Sequence, residues 1–204
     1  MISNREPDSP LARLFIALDL PPAVIAGVAA WGATELHDPA LRAVPEGNLH
    51  ITLVFLGSTP FELIPRVATV LLGSGAEAPL VQFSAEPVGL PRRGRPARFA
   101  LEARSRGVEE IQAGLGSALA EAGLHQPETR PFWPHLTVAR VRRVRGNRRK
   151  TRRVEGPPGP LPEALLQPFR AVRMALYLSS FGPDGVRYTP LAQVELHSGE
   201  AAVR

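Results

Sequence analysis

Two short stretches of this chain place a histidine and a threonine two residues apart inside apolar, β-branched runs. They are Asn48-Leu49-His50-Ile51-Thr52-Leu53-Val54-Phe55-Leu56-Gly57 and Phe132-Trp133-Pro134-His135-Leu136-Thr137-Val138-Ala139-Arg140. Side chains alternate faces along a strand, so His50 projects with Thr52 and His135 with Thr137, while Ile51 and Leu136 turn into the core. Each copy therefore lays an imidazole beside a hydroxyl. Two such strands side by side make one cleft with two proton-transfer groups and two hydroxyl donors, a set suited to a phosphate ester. An unperturbed histidine has a pKa of ~6.5, so a neutral and a protonated imidazole can coexist near neutral pH. One can take a proton from a nucleophile while the other gives one to a leaving alkoxide.

Each residue also has a plainer reading. A lone His-x-Thr is common, and either histidine alone would pass for a satisfied core residue; the flanked pair outweighs that. Thr52 and Thr137 could be ordinary strand residues. Phe132 and Trp133 could be core aromatics or a platform on which an RNA base stacks. Arg130 could contact phosphate or be surface charge. His37, His125 and His197 lack a threonine partner and read as surface or loop residues. Asp19, before Pro21-Pro22, reads as a helix cap rather than a catalytic carboxylate. Ser179-Ser180 lacks the context of a nucleophilic serine.

The elements that must position the motifs follow from periodicity and breakers. The sequence predicts a buried strand over 11–20, a helix over 22–36, a short strand over 42–45, a strong strand over 49–56 closed by Gly57, and a helix over 61–72. It then predicts strands over 80–90 and 98–103, a helix over 108–122 stopped by Gly123, and a strand over 135–141. Residues 142–160 read as a loop, 161–166 as a helical turn or two, and 169–179 with 186–196 as a strand pair turning at Gly182-Pro183-Asp184-Gly185. Strand, helix and motif strand recur: Phe15 precedes His50 by 35 residues and Phe99 precedes His135 by 36. A duplicated unit accounts for this. The expected fold is α+β, with two pseudo-symmetric lobes of mostly antiparallel sheet, helices outside, and the cleft between them. It forms one bilobal domain over 11–196, with halves at about 11–90 and 96–196 and loose tails at 1–10 and 197–204.

Composition narrows the function classes. At 204 residues and 44% hydrophobic, the chain can build a core. It has no cysteine, which excludes disulfides, thiolate nucleophiles and Cys-ligated zinc. No cofactor or metal site is encoded: there is no His-x-x-x-His pair or carboxylate cluster. The apolar stretch from Leu14 to Trp31 is broken by Asp19 and Pro21-Pro22, so neither a membrane span nor a signal peptide is expected. A cytoplasmic monomer is the expectation. Charge is concentrated: residues 129–154 hold ten of the 24 cations and none of the 19 acids. Such a local excess suits a polyanion, the plainer alternatives being a solvated loop or a coding bias toward arginine, since Lys150 is the only lysine.

At these residues the chain resembles the two-histidine (2H) phosphoesterase superfamily, whose mark is a tandem His-hydrophobic-Thr/Ser-hydrophobic pattern: His50-Ile51-Thr52-Leu53 and His135-Leu136-Thr137-Val138. Within it, Arg13-Leu14-Phe15-Ile16-Ala17-Leu18, the run from Asn48 to Gly57, and Pro134 to Arg140 are similar to the bacterial and archaeal RNA 2′,3′-cyclic phosphodiesterase (2′-5′ RNA ligase) family, over about residues 11–196. The Arg-rich stretch from 142 departs from it. The resemblance implies hydrolysis of RNA 2′,3′-cyclic phosphate ends to 2′-phosphates, with reversible 2′-5′ ligation as a related activity. It also implies His50 as general acid to the 3′ oxygen and His135 as general base on water; the residues alone leave that order open. Thr52 and Thr137 would hold phosphate oxygens. Arg140, which the resemblance would also bring to the phosphate, lies five residues after His135, so a regular strand would point it away unless the strand bends. Two other readings keep the same residues: an RNA-end binding module with little turnover, and a phosphodiesterase for small cyclic nucleotides.

Overall fold

A computed structural model of the chain describes residues 10–144, 146–182 and 185–197. The expected tails, Arg145, and Pro183-Asp184 of the expected turn lie outside the described residues, apart from Pro10 and His197.

The elements run β1 (Leu11–Asp19), α1 (Pro22–Glu35), β2 (Leu41–Ala43), β3 (Ile51–Pro60), α2 (Ile64–Gly73), β4 (Leu80–Phe83), β5 (Val88–Leu90), β6 (Arg98–Arg104) and α3 (Arg106–Glu121). They continue with β7 (His135–Val141), β8 (Arg143–Val144), β9 (Asn147–Thr151), β10 (Phe169–Arg170), β11 (Arg173–Gly182) and β12 (Gly185–Glu195). Turns of 3-10 helix cover Glu46–Asn48, Phe61–Leu63 and Glu163–Leu166. The fold is α+β, and every pair of these strands is antiparallel.

One sheet runs β10-β4-β6-β7-β3-β1-β11-β12, with β2 on β7 and β5 on β6. It reads symmetrically about the junction of β7 and β3, so the two His-x-Thr strands are neighbours at its centre. They share a single registered pair, Ile51 with Leu136. Both side chains are fully buried. They join a core built from Leu14, Ile16, Leu18, Leu101, Met174 and Leu176, each buried side chain contributing roughly 1.5–3 kcal/mol. Beyond Leu136 the free edge of β7 is taken by β2, with Leu41 opposite Val141 and Ala43 opposite Ala139.

Several expectations change. The strand expected over 80–90 is two strands: β4 pairs with one end of β6 and β5 with the other, and the residues between them turn. Gly57 does not close β3; it takes the left-handed conformation (φ 68°) inside a bulge and the strand continues to Pro60. Residues 142–160 are not simply a loop, since β8 and β9 form a separate two-stranded ribbon. Asp19 does not cap α1, whose N-cap is Pro21 with no side-chain bond. Proline needs no donor there. The cap on α3 is conventional: the Ser105 hydroxyl accepts from the Val108 N–H at 3.1 Å, worth about 1 kcal/mol. Gly123 (φ 69°) follows as its stop.

Candidate active site

Both imidazoles are held in the same way. His50 Nδ1 lies 2.9 Å from the Asn48 carbonyl, and His135 Nδ1 lies 2.8 Å from the Trp133 carbonyl. A carbonyl only accepts, so Nδ1 carries the hydrogen in each ring and, in the neutral form, Nε2 keeps its lone pair. His50 Nε2 meets the Thr52 hydroxyl at 3.1 Å, with the hydroxyl donating.

Each imidazole is also backed by an aromatic ring. Phe15 stacks on His50 with centroids 4.8 Å apart, and Tyr188 meets His50 edge to face with centroids 5.2 Å apart. Trp133 stacks on His135 at 4.8 Å and 15°. Behind each stack stands a carboxylate. Glu102 Oε1 accepts from Trp133 Nε1 at 3.1 Å, and this bond is the main reason the Glu102 carboxyl lies below its usual range. Asp19 accepts from the Tyr177 hydroxyl at 2.7 and 2.9 Å and from Arg173 Nε. Tyr177 stacks on Phe15. The two carboxylates hold equivalent places: Glu102 pairs with His135, and Asp19 follows Leu18, which pairs with Ile51 beside His50.

Bulges complete the site. On β7, Ala100 pairs with Thr137 but Phe99 with Ala139, leaving Val138 as an extra residue. Alternation is reset there, and Arg140 comes round to the cleft with His135 and Thr137. This is the bend an arginine at that offset requires. On β3 the same irregularity falls at Leu53, between Thr52 and Val54, and brings Phe55 to the cleft. Register also refines the internal repeat: Phe15 lies opposite Phe55 and Arg98 opposite Arg140, so the counterpart of Phe15 is Arg98, not Phe99.

The cleft, of about 840 Å³, is lined by His50, Thr52, His135, Thr137, Arg140, Arg130, Phe132 and Trp133 together. The eight candidate site residues thus line one cavity. Their surroundings differ from the simplest expectation. Trp133 lies against His135, with the Arg92 guanidinium 5.2 Å from its ring centre. Phe132 packs partly on the core, and Arg130 meets Glu128 at 3.4 Å on the surface. His125, read as a surface or loop residue, lies on a loop that lines the cleft, and His37 and His197 are exposed. Further lining residues had been given no site role from the sequence: Phe15 and Arg13, within the Arg13–Leu18 stretch that carries the resemblance, and Tyr188, Arg42 and Arg98. Arg98 was open to inference, because a second strand–helix–strand unit needs a partner strand beside Arg140.

Electrostatics divide the cleft. Arg98, Arg140 and Arg42 sit in register across β6, β7 and β2, all lining the cavity. Like charges placed opposite one another repel, so the row favours an anion in the cleft. Burial, then the charges of Arg140 and Arg130, lower the Arg98 pKa. Burial lowers His50 to about 4, opposed by the Asn48 carbonyl and Asp19. Burial also lowers His135, opposed by the Trp133 carbonyl and aided by Arg98. Both imidazoles are therefore neutral in the empty cleft at pH 7, and a bound anion raises both. Among the described residues, no group of three or more His, Cys, Asp or Glu is placed to hold a metal ion, and no helix is long and apolar enough to cross a membrane.

Comparison with known proteins gives a consistent result. A family model described as the 2′-5′ RNA ligase superfamily matches residues 20–175. The chain is 31% identical over 179 residues to the RNA 2′,3′-cyclic phosphodiesterase of Escherichia coli, covering 88% of this chain and 93% of that one. It is 32% identical over 136 residues to the protein of that name in Thermus thermophilus, covering 63% and 68%. Among solved structures, a Thermus thermophilus protein superposes with a TM-score of 0.74 at 27% identity, covering 92% of this chain and 99% of that one. Escherichia coli LigT complexed with 3′-AMP superposes at 0.70 and 27% identity, with the same coverage.

Proposed function

Because this chain belongs to the 2′-5′ RNA ligase superfamily, we propose that its residues 11–196 form one catalytic unit that hydrolyses RNA 2′,3′-cyclic phosphate ends to 2′-phosphates by two-histidine acid–base catalysis without a metal. The observation that carries this reading is the matched anchoring of two imidazoles in one cleft, each with Nδ1 tied to a carbonyl, which makes Nε2 the atom for proton transfer, in His50 with the Thr52 hydroxyl beside it. The names of relatives such as the Escherichia coli RNA 2′,3′-cyclic phosphodiesterase supply the substrate class.

The cyclic phosphate sits against the Arg98–Arg140–Arg42 row, with Thr52 and Thr137 hydroxyls on its non-bridging oxygens. Its charge raises both imidazoles, so one acquires the proton that the empty cleft withholds. His135 Nε2 takes a proton from water as the water oxygen bonds to phosphorus. The bond from phosphorus to the 3′ oxygen breaks, and His50 Nε2–H gives its proton to that oxygen. The phosphate remains on the 2′ oxygen. Arg140 stabilises charge on the phosphoryl oxygens. With a 5′ hydroxyl in place of water, His135 would take its proton as the 5′ oxygen bonds to phosphorus, His50 would again protonate the departing 3′ oxygen, and a 2′-5′ linkage would form; in the reverse direction, cleavage of that linkage, the pair would exchange roles.

The test is an oligonucleotide ending in a 2′,3′-cyclic phosphate, incubated with and without EDTA. The expected product is the 2′-phosphate at equal rates, with His50→Ala and His135→Ala each slower by about 10²–10⁴-fold. Full turnover in either variant, a 3′-phosphate product, or arrest by EDTA overturns the reading. Retained RNA binding without turnover by the unmodified chain would favour an RNA-end binding module instead.

A further inference from the structure

The β8–β9 ribbon leaves the sheet just past the end of β7, β8 beginning three residues beyond Arg140. It pairs with no strand of the main sheet. Its root is fixed: Arg142 N–H donates to the Ala40 carbonyl at 2.7 Å, Arg142 Nε donates to the Leu41 carbonyl at 3.1 Å, and Arg152 N–H donates to the Arg142 carbonyl at 2.8 Å. The segment that follows is also held, with Gly159 N–H on Glu35 and Trp31 Nε1 on the Pro160 carbonyl. A stretch that reads as a loop is thus a ribbon on a built foundation.

Its surface is cationic. Arg143 and Lys150 are exposed along it, and Arg152 and Arg153, also exposed, follow directly. No acid occurs between residues 129 and 154. At the root, Asp38 accepts from the backbone amides of Ala40 and Glu155, and Glu35 from that of Gly159. At ~3.3 Å per strand residue, Arg143 stands ~10 Å along the chain from Arg140. Positive charge therefore runs from the Arg98–Arg140 pair in the cleft out along the ribbon.

We propose that this ribbon docks the sugar–phosphate backbone of the RNA leading to the cyclic end, which rests on the function proposed above. A linear polyanion that enters the cleft by its terminal phosphate must leave past its rim, and a cationic track continuing from β7 fits its repeated charges. Backbone contacts of this kind carry no base preference and weaken steeply with salt.

The experiment uses the full chain and the combined variant Arg143→Gln, Lys150→Gln and Arg152→Gln, all at exposed positions. Two substrates bear the same cyclic end, a dinucleotide and a 12-mer. The expected result is a fall of about tenfold in the 12-mer to dinucleotide ratio of kcat/KM at moderate salt. The slope of log binding constant against log salt for the labelled 12-mer should lessen by about two, since each lost single-strand contact removes ~0.7. An unchanged ratio and slope overturn the proposal. The binding arm reads the ribbon even if no cyclic end is hydrolysed, which would sink the proposed activity alone. Loss of binding to anionic phospholipid vesicles, with 12-mer binding intact, would assign the ribbon to a membrane surface and overturn it too.

Discussion

Arg140 and Phe55 hold the same position on the two central strands, five residues past a histidine and just beyond a bulge, yet one is a cation and the other an aromatic ring. Arg140 faces Arg98 across β6, while Phe55 faces Phe15 across β1 and carries the Arg13 guanidinium 5.0 Å from its ring centre. The cleft is thus built on a symmetric backbone with unlike walls, charged beside His135 and aromatic beside His50. Arg140→Ala should lower kcat on a cyclic dinucleotide by about 10²–10³-fold. Arg140→Lys should recover part of this, since an ammonium lacks the planar fork. Arg140 is exposed, so thermal melting should be unchanged; a large fall in melting temperature would mean that its role is structural.

The pH dependence follows from burial of the two imidazoles. His50 sits near 4 in the empty cleft and His135 is also lowered. kcat/KM reports the free enzyme and needs one imidazole protonated and the other neutral. Its maximum should therefore fall on the acid side of ~6.5, the ordinary histidine value. The profile of kcat should lie at higher pH, because the bound phosphate raises both groups. A maximum of kcat/KM above pH 8 would be incompatible with this site.

The same burial acts on folding. The folded-state pKa of His50 is about 4, below the ~6.5 of an unfolded chain, so the unfolded state binds more protons between these values. Stability should rise from pH 4 to 6.5 and be flat above it on this account. His50→Gln should reduce that slope in chemical denaturation across the window; an unaltered slope would show that His50 is not the group responsible.

The paired carboxylates act through the rings they hold. Glu102→Gln keeps an oxygen for Trp133 Nε1 but removes the charge, whereas Glu102→Ala frees the indole that backs His135. The alanine variant should lower kcat severalfold with KM nearly unchanged, and the glutamine variant should restore most of it. Asp19 also raises the His50 pKa by its charge. Asp19→Asn should therefore move the His50 limb of the pH profile to lower pH, a shift that a purely structural role would not give.

At the junction of the two motif strands, Ile51 and Leu136 are their one registered pair, both fully buried. Leu136→Ala should destabilise the fold by about 2–5 kcal/mol. Calorimetry in the presence and absence of a substrate analogue would measure it.

What the sequence disclosed was what local pattern encodes. His50, Thr52, His135 and Thr137 share a two-residue spacing, and strand alternation alone puts each pair on one face. Arg140 could not be placed in that way, because the bulge at Val138 arises from pairing with β6 and leaves no mark in composition. Asp19 looked like a cap because its near neighbours are prolines; its true partners, Arg173 and Tyr177, lie more than 150 residues away. The ribbon was hidden for a different reason. β8 reads Arg-Val and β9 Asn-Arg-Arg-Lys-Thr, a mostly charged composition with little of the β-branched and aromatic content that marks a strand.

The outer strands carry a consequence for the order of synthesis. Beside β1 lies β11, and beyond it β12, both from late in the sequence, while β4, from the first half, lies beside β6. Tyr177 and Tyr188, which enclose Phe15 and His50, therefore leave the ribosome long after the two residues they enclose. The earlier histidine is translated well before its surroundings. Its proton chemistry must wait for the C-terminal hairpin, so a prematurely terminated chain would carry the first motif without a site to use it in.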